Sequence, residues 1–280
     1  MEDDNQINEK ELEDMILSMV EVINEPEKSN LNNLLEKKFN ETASELRQDD
    51  KVYTLLKGTL NNKASINKDS GVAKLAKEFT LCAKADLDCA KMLLNSPYKS
   101  LLVYHLQQFF EKHIKSIALL SGATQIGDHD TTVVMEKMAE KFVDLLPKSF
   151  FGINKMNLDK RREIALWKKE QIFFALDQLN IIVENTKTFI APFLSRLKED
   201  KTLPIKIDIS KADTGLANLG ETLDIFILAY VTFPHESFTR YPDGYPNPKS
   251  YDSGEIGIAN EEVINYLLEH AERIQNHLTE

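Results

Sequence analysis

The apolar residues of this chain recur every three or four positions over most of its length, which is the spacing that places them along one face of an α-helix. Only Ile205, Ile207 and Ile209 alternate with polar residues, and one such stretch without a partner indicates an extended connector rather than a sheet strand. The pattern therefore predicts an all-α protein. Helices are expected at residues 7–24, 31–39, 52–60, 72–94, 98–121, 131–146, 158–184 and 214–231, with a last one after residue 260.

The boundaries of these helices are marked by residues that favour helix ends. Asn95-Ser96-Pro97 is expected to end the helix at 72–94, because proline cannot continue the hydrogen-bond ladder and restricts the residue before it. Gly122 suits the C-terminus of the next helix, and Asn260 suits the N-terminus of the last one. Pro192 and Pro204 are expected to break the chain that follows residue 184.

The charge of the chain limits the ligands that it can hold. Its 280 residues carry a formal net charge of −11, and its pI is about 5.2. Non-specific binding along nucleic acid depends on many lysine and arginine contacts with phosphates, so this composition argues against a protein that coats nucleic acid, while a local basic groove stays compatible with it. One basic cluster is present, and we interpret it as a solvated face or as a docking place for the acidic residues 1–50. It consists of Lys160, Arg161, Arg162, Lys168 and Lys169.

Three features bear on the cellular location. The N-terminus lacks the basic segment and apolar run that mark a signal peptide. The richest apolar window, 223–233, is shorter than the ~20 residues that span a membrane. Cys82 and Cys89 lie too far apart along a predicted helix for a disulfide, so we expect free core thiols in a reducing compartment. Together these features predict a cytoplasmic protein without a membrane segment.

Three segments, in this order, resemble the HEPN family of small helical domains. The first reads ADLDCAKMLL at 85–94, and the second reads YHLQQFFEKHIKS at 104–116, followed by His129 and Asp130 just before a predicted helix. The third reads TRYPDGYP at 239–246 and leads to a final helix that contains AERI at 271–274. The resemblance covers about 80–145 and 213–280 and implies an up-and-down helical bundle with additional helices. Residues 1–75 then form an N-terminal extension, and about 147–212 form a long helical insertion within the domain at 76–280.

The resemblance also implies a class of function and of partners. Members of the family often form homodimers, many pair with a small nucleotidyltransferase partner, and they are associated with nucleotides or RNA, commonly in toxin–antitoxin or defence systems. Several cleave RNA with an arginine followed, after four to six residues, by a histidine. Here only three residues separate Arg273 from His277, so the usual ribonuclease motif is absent and it stays open whether the chain is an enzyme.

The candidate ligand-binding residues are Arg240, Tyr241 and His129. An arginine beside an aromatic residue can hold a phosphate with two hydrogen bonds while the ring stacks on a base. A histidine near it could bind or cleave a phosphodiester, because it gains and loses protons near neutral pH. The alternative for Arg240 is a structural role, in which it caps a helix or pairs with a carboxylate while Tyr241 packs inward.

Other polar residues have structural interpretations. We expect His113 to be a core histidine with satisfied hydrogen bonds. Glu111 and Lys115 have the spacing of a helix-surface ion pair. Gln107 and Gln108 are expected to bind a neighbouring helix or a dimer partner. For the catalytic candidates Arg273 and His277, the favourable position of cations at a helix C-terminus is a sufficient explanation.

Three readings of the function remain open at this stage. The first is a nucleotide- or RNA-associated HEPN-type protein. The second is a catalytically inactive HEPN scaffold that dimerises or holds a partner, and the third is a ribonuclease that uses a non-standard arginine–histidine pair. We expect no metal and no other cofactor, because no metal-ligand spacing and no glycine-rich phosphate loop occurs.

Overall fold

A computed structural model describes residues 53, 57, 71–121, 158–199, 224–225, 227–242 and 244–279. Within these residues all regular secondary structure is helical and no strand occurs, which confirms the all-α fold class. The helices predicted at 7–24, 31–39 and 131–146 and the connector at 205–209 lie outside the described residues. The described helices are α1 (Gly71–Met92), α2 (Lys99–Ser121), α3 (Leu158–Ala165), α4 (Lys169–Glu199), α5 (Pro248–Asp252) and α6 (Glu261–Thr279), with 3-10 turns at Phe233–His235 and Gly257–Ala259.

The connection between α1 and α2 follows the sequence prediction closely. Ser96 donates its hydroxyl to the carbonyl of Leu93 at 2.8 Å, and its oxygen accepts the backbone N–H of Tyr98 at 3.2 Å. Asp252 in α5 then accepts the backbone N–H of Ser100 at 2.8 Å. A carboxylate at this position satisfies a free N–H group and favours the positive end of the helix. The start of α2 is therefore fixed by both local and distant residues.

Helix α2 is the central element of the described structure. It packs against α1, α5, α6 and both 3-10 turns, and no side chain from residue 102 to residue 120 is exposed. A helix that is covered on all sides needs apolar residues around its circumference, or polar residues with partners. Its fully buried apolar side chains are Leu102, Val103, Leu106, Phe109, Phe110, Ile114 and Ala118.

The segment predicted as one helix at 158–184 is two helices. The chain leaves the helical path after Ala165, where Trp167 inserts its buried side chain into the core. The new helix α4 then begins with the Lys168 backbone N–H bound to the Gln171 side chain at 2.9 Å. Residues of both helices belong to the core cluster, so this part of the predicted insertion packs on the bundle.

The prediction that Pro192 breaks the segment after residue 184 is wrong, because α4 continues to Glu199 with Pro192 inside it. Proline removes one backbone hydrogen bond and costs roughly 3 kcal/mol in a helix interior. The neighbouring residues offset this cost, since Phe193 and Leu197 are buried in the core on the C-terminal side of the proline. Tertiary packing here outweighs local propensity.

The last helix, α6, begins as expected. The Asn260 side chain accepts the backbone N–H of Glu262 at 3.0 Å, and its carbonyl accepts the first helical N–H, from Ile264, at 2.9 Å. Of the residues predicted to face inward, Val263, Leu267 and Ile274 are fully buried, while His270 is only half-buried. This stripe places α6 against α1, α2 and α4.

Two further findings concern the predictions for the cysteines and for a membrane segment. Cys82 and Cys89 are free thiols, but the expectation that they are core residues is wrong, because Cys82 is exposed and Cys89 is partly exposed. The helical periodicity of α1 places them beside its buried positions, such as Ala83 and Ala90, rather than on them. Among the described helices, none combines the length and apolar character that a bilayer crossing requires.

Two histidines are buried in the core. His113 in α2 has its Nε2 atom 3.1 Å from the Gln275 side-chain oxygen in α6, and its Nδ1 atom has no hydrogen-bond partner. It is thus a core histidine, as predicted, but only half satisfied. His235 has its Nδ1 atom 2.7 Å from the hydroxyl of Tyr251, which ties the first 3-10 turn to α5.

Replacing Gly257 with alanine is expected to destabilise the protein by about 3 kcal/mol, because the added methyl group has no room. A Cβ atom there would lie 2.7 Å from the backbone carbon of Lys168 and 2.8 Å from the backbone nitrogen of Lys169. Urea denaturation measures the effect. The control is Gly254→Ala, where nothing lies within 4 Å and the left-handed backbone alone costs about 1 kcal/mol. Equal losses in the two variants would contradict the close approach.

Acid is expected to destabilise the fold through the two buried histidines. Burial lowers the pKa of His113 from 6.5 to about 4 and that of His235 from 6.5 to about 3. Because the unfolded state takes up these protons at a higher pH than the folded state, the free energy of unfolding falls as the pH drops from 6.5 towards 4. Each histidine contributes up to about 1.4 kcal/mol per pH unit to this fall.

The corresponding measurement is urea denaturation of the wild type and of His113→Leu at several pH values from neutral to mildly acidic. The variant lacks one of the two titrating groups, so its stability is expected to fall less steeply with decreasing pH. Identical slopes in the two proteins would rule out His113 as a source of the acid sensitivity.

Candidate ligand-binding site

The Arg-Tyr-Pro segment is held at the surface by a buried turn. The Thr239 hydroxyl donates to the His235 carbonyl at 3.0 Å, and the backbone N–H of Tyr241 donates to the Ser237 carbonyl at 3.2 Å. Phe238 and Thr239 are buried. The turn thereby places the next two side chains, Arg240 and Tyr241, outside the core.

Arg240 lies among aromatic and acidic groups. Its guanidinium carbon is 5.6 Å from the centre of the Tyr104 ring and 5.4 Å from that of Tyr241. Its Nη2 atom donates to the carboxylate of Glu236 at 3.0 Å, and its Nε atom donates to the Glu236 carbonyl at 3.3 Å. The arginine is thus positioned by its neighbours, yet 38% of its side chain is exposed.

These contacts agree in part with the ligand-binding interpretation of the Arg-Tyr-Pro turn and in part with the structural one. The bond between Arg240 and the Glu236 carboxylate is the ion pair of the structural alternative. Tyr241, however, does not pack inward, because 55% of it is exposed. An exposed ring beside a partly exposed guanidinium is the arrangement that phosphate and base binding requires.

Glu236 connects this turn electrostatically to charged side chains of α2 and α3. Burial and the carboxylate of Glu111 raise the pKa of Glu236 above its usual value. The positive charges of Arg240, Arg161 and Lys115 act in the opposite direction. We call these five residues the Arg240 cluster. It brings together α2, α3 and the turn after the first 3-10 helix.

The polar side chains of α2 that reach this cluster bond mainly to one another. Glu111 accepts Lys115 Nζ at 2.8 Å, Gln107 Nε2 at 2.8 Å and Gln108 Nε2 at 3.0 Å. The predicted Glu111–Lys115 pair is therefore present, but it is not a surface pair, since each side chain is only 12% exposed. The expectation that Gln107 and Gln108 bind a neighbouring helix is wrong, because their described bonds run along α2, where Glu111 lies within one turn. Binding to a dimer partner stays a prediction.

Arg161 corrects the interpretation of the basic cluster at 160–169. It is partly buried rather than solvated, and its guanidinium carbon lies 4.7 Å from the centre of the Phe233 ring. Among the described residues, no group accepts a hydrogen bond from its buried Nε atom. Helix α3 packs on the first 3-10 turn, which explains how a residue of the predicted insertion arrives beside Glu236.

The charges of the Arg240 cluster define what it can bind. Its two carboxylates and three cations leave one net positive charge in a protein that is acidic overall. The ion pair of Arg240 with Glu236 is partly exposed, and such pairs contribute only about 0–1 kcal/mol. A phosphate offers a guanidinium two charge-assisted bonds and can therefore replace Glu236 as its partner.

The remaining candidate residues do not join this cluster in the described structure. His129 lies outside the described residues. Arg273 forms an ion pair with Asp224, and its Nη2 atom is 3.0 Å from Nδ1 of His270. The side chain of His277 is not among those described. Arg273 thus binds a bundle carboxylate and its own helix, which accounts for its position without a catalytic role.

Sequence reasoning missed three members of the site. Tyr104 lies within the second resembling segment, but nothing in the sequence places its ring under Arg240. Glu236 has the helical spacing of an ion pair with Arg240, and this signal was available. Arg161 could not have been assigned, because its approach depends on how α3 packs.

The described residues contain no group of three histidine, cysteine or carboxylate side chains that could hold a metal ion. Comparison of the chain with models of protein families, with curated proteins and with solved structures found no match.

Glu111→Ala is expected to cost about 3 kcal/mol, because it removes the carboxylate that accepts hydrogen bonds from the largely buried ammonium of Lys115 and from two glutamine amides. The free energy of unfolding from urea denaturation measures the loss. Lys91→Ala is the control, since its ion pair with Glu272 is 44% and 46% exposed and is expected to contribute less than about 1 kcal/mol. If both changes cost the same, the network in α2 does not stabilise the bundle.

Proposed function

We propose that this protein is a HEPN-type helical protein that binds a nucleotide or an RNA end at the Arg240 cluster. The observation that carries the proposal is the placement of Arg240 between the rings of Tyr104 and Tyr241. The phosphate of the ligand binds the guanidinium, and its base stacks on the exposed ring of Tyr241. The all-α fold of the described residues agrees with the fold that the family resemblance implies.

Two further observations support phosphate as the bound group. Arg161 lies in the same cluster, and its positive charge favours an anion there. Burial, with the facing Glu111, favours the neutral form of Glu236, as its raised pKa indicates. This shift is in the direction that weakens the competition of Glu236 with an anion for Arg240.

The acidic character of the chain limits the ligand to a short one. A cluster with one net positive charge has few phosphate contacts, so binding depends less on salt than it does for a protein that follows the backbone of a long nucleic acid. The proposal therefore favours a mononucleotide or the end of an RNA strand over an extended strand. It also includes a cytoplasmic location and a place in a toxin–antitoxin or defence system.

A second function, a catalytically inactive scaffold, is favoured by exposed apolar side chains at one end of the α1–α2 pair. Met92 is 83% exposed, Tyr98 56% and Leu101 45%. Exposed apolar groups that lie close together are typical of protein interaction sites. The protein that would bind these side chains is a second copy of the chain or a nucleotidyltransferase-type partner. The oligomeric state in solution tests whether it is a second copy.

Arg240→Ala is expected to lower the affinity for ribonucleoside 5′-monophosphates and short 5′-phosphorylated RNA at least tenfold, because a charge-assisted bond to phosphate contributes about 1.5–3 kcal/mol. Arg240→Lys is expected to restore only part of the affinity, since lysine cannot form the two-bond contact. Isothermal titration at low and physiological salt measures both variants.

Arg196→Ala is the matched control for this change. Arg196 also packs its guanidinium on a tyrosine, 4.4 Å from the centre of the Tyr53 ring, but it is not part of the Arg240 cluster. Its replacement is expected to leave binding unchanged. If a folded wild-type protein binds none of these ligands, or if Arg240→Ala binds as well as the wild type, the function is not phosphate binding at this turn, and the scaffold becomes the better account.

A further inference from the structure

A second group of polar side chains lies next to the Arg240 cluster, between α1 and α2. His105 Nδ1 is 2.9 Å from Oδ1 of Asp86, and the other oxygen of Asp86 forms an ion pair with Lys112. The Asp86 side chain is only 13% exposed, and that of His105 is 25% exposed. The carboxylate therefore sits between two turns of α2, with the histidine at the surface edge of the contact.

The contact with Asp86 fixes the proton of the neutral histidine. A carboxylate that also binds Lys112 accepts hydrogen bonds and cannot donate one, so Nδ1 of His105 carries the hydrogen. The lone pair of the neutral imidazole is then on Nε2. Among the described residues no group bonds to Nε2, and this atom is not buried. In its neutral form, His105 thus presents a hydrogen-bond acceptor with a fixed orientation to solvent.

The ring of Tyr104 joins this acceptor to the Arg240 cluster. The Tyr104 and His105 rings meet edge to face with centres 5.3 Å apart, and Arg240 lies over the ring of Tyr104 at 5.6 Å. A cation, an aromatic ring and a neutral acceptor thus follow one another across one surface. A nucleoside 5′-phosphate likewise presents an anion at C5′ and hydroxyl donors at C2′ and C3′, separated by the sugar ring.

We propose that the binding site extends across Tyr104 to His105, where Nε2 accepts a hydrogen bond from a ribose hydroxyl and makes the site selective for ribonucleotides. This inference rests on the proposed function, because it takes the phosphate at Arg240 as the other anchor. The 2′-hydroxyl is the group by which proteins distinguish RNA from DNA. A site that offers it a fixed acceptor loses a hydrogen bond when the ligand lacks that hydroxyl.

The test is an NMR titration with the four ribonucleoside 5′-monophosphates and their 2′-deoxy and 3′-deoxy counterparts. The wild type is expected to bind the ribonucleotide about tenfold more tightly than its 2′-deoxy form, since one hydrogen bond contributes about 1 kcal/mol or somewhat more. A preference against the 3′-deoxy form alone would contradict selectivity for ribonucleotides. The two deoxy series identify which hydroxyl is bound. The ratio of the two affinities is measured on the same protein sample, so partial unfolding of a variant does not change it.

Two replacements of His105 separate ligand contact from structural support. His105→Asn keeps a donor near Nδ1 for Asp86 but removes the acceptor, so it is expected to bind ribo- and deoxyribonucleotides equally. His105→Gln extends an amide oxygen towards the position of Nε2, and it is expected to recover part of the preference. His270→Asn is the control, because the His270 ring stacks on Tyr266 with centres 4.1 Å apart, outside this surface.

The outcomes distinguish this inference from the function on which it rests. Loss of the ribose preference in His105→Asn, with its retention in His270→Asn, supports the inference. If the wild type shows no preference, or if His105→Asn keeps it, His105 does not bind the sugar. Loss of binding in Arg240→Ala would in that case still support the proposed phosphate site. If no nucleotide binds to the wild type, both proposals fail together.

Discussion

The described structure depends on one constraint, which is that α2 is largely covered although it carries many polar side chains. Over residues 102–120 none of its side chains is exposed. Polar groups in such a position must find partners, because an unpaired one costs about 1–3 kcal/mol. The partners of these groups determine which elements lie against the helix. Toward α1 the contacts are made by Asp86 and Thr80, and toward α6 by Gln275.

The same constraint accounts for the candidate site. Glu111 uses its carboxylate oxygens on Gln107, Gln108 and Lys115, which keeps this polar stripe stable at the edge of the core. The 3-10 turn that precedes Glu236 and Arg240 packs against α2. A polar group that is needed to satisfy a buried helix thereby also supplies charges next to an exposed arginine and an exposed tyrosine. The residues that satisfy the polar groups of α2 thus also border the candidate site.

Much of the fold was predictable from sequence because helix boundaries are local. Ser96 and Pro97 end α1, and Asn260 starts α6, through contacts within a few residues. The break at Trp167 and the passage of α4 through Pro192 were not predictable, because both depend on burial in a core assembled from distant segments. Local propensity predicts the secondary structure that a segment favours, and tertiary packing can override that propensity.

The candidate site was predictable only in part, because some of its residues are brought together by tertiary contacts. Arg240 and Tyr241 were recognisable by residue type and by their place in a turn, and they lie together at the surface. The burial of the Glu111–Lys115 pair, the approach of Arg161 and the pairing of His105 with Asp86 required tertiary contacts. No spacing along the chain encodes these contacts.

The most direct test of the account is NMR observation of the arginine side-chain Nε–H groups during addition of a ribonucleoside 5′-monophosphate. Signals of Arg240 and Arg161 are expected to shift together and to give one common Kd, because both residues belong to the Arg240 cluster, where we propose that the phosphate binds. Signals of Arg196 and Arg273 are expected to stay unchanged. Shifts confined to Arg196 or Arg273, or no shift at a saturating concentration, would contradict a phosphate site at the Arg-Tyr-Pro turn.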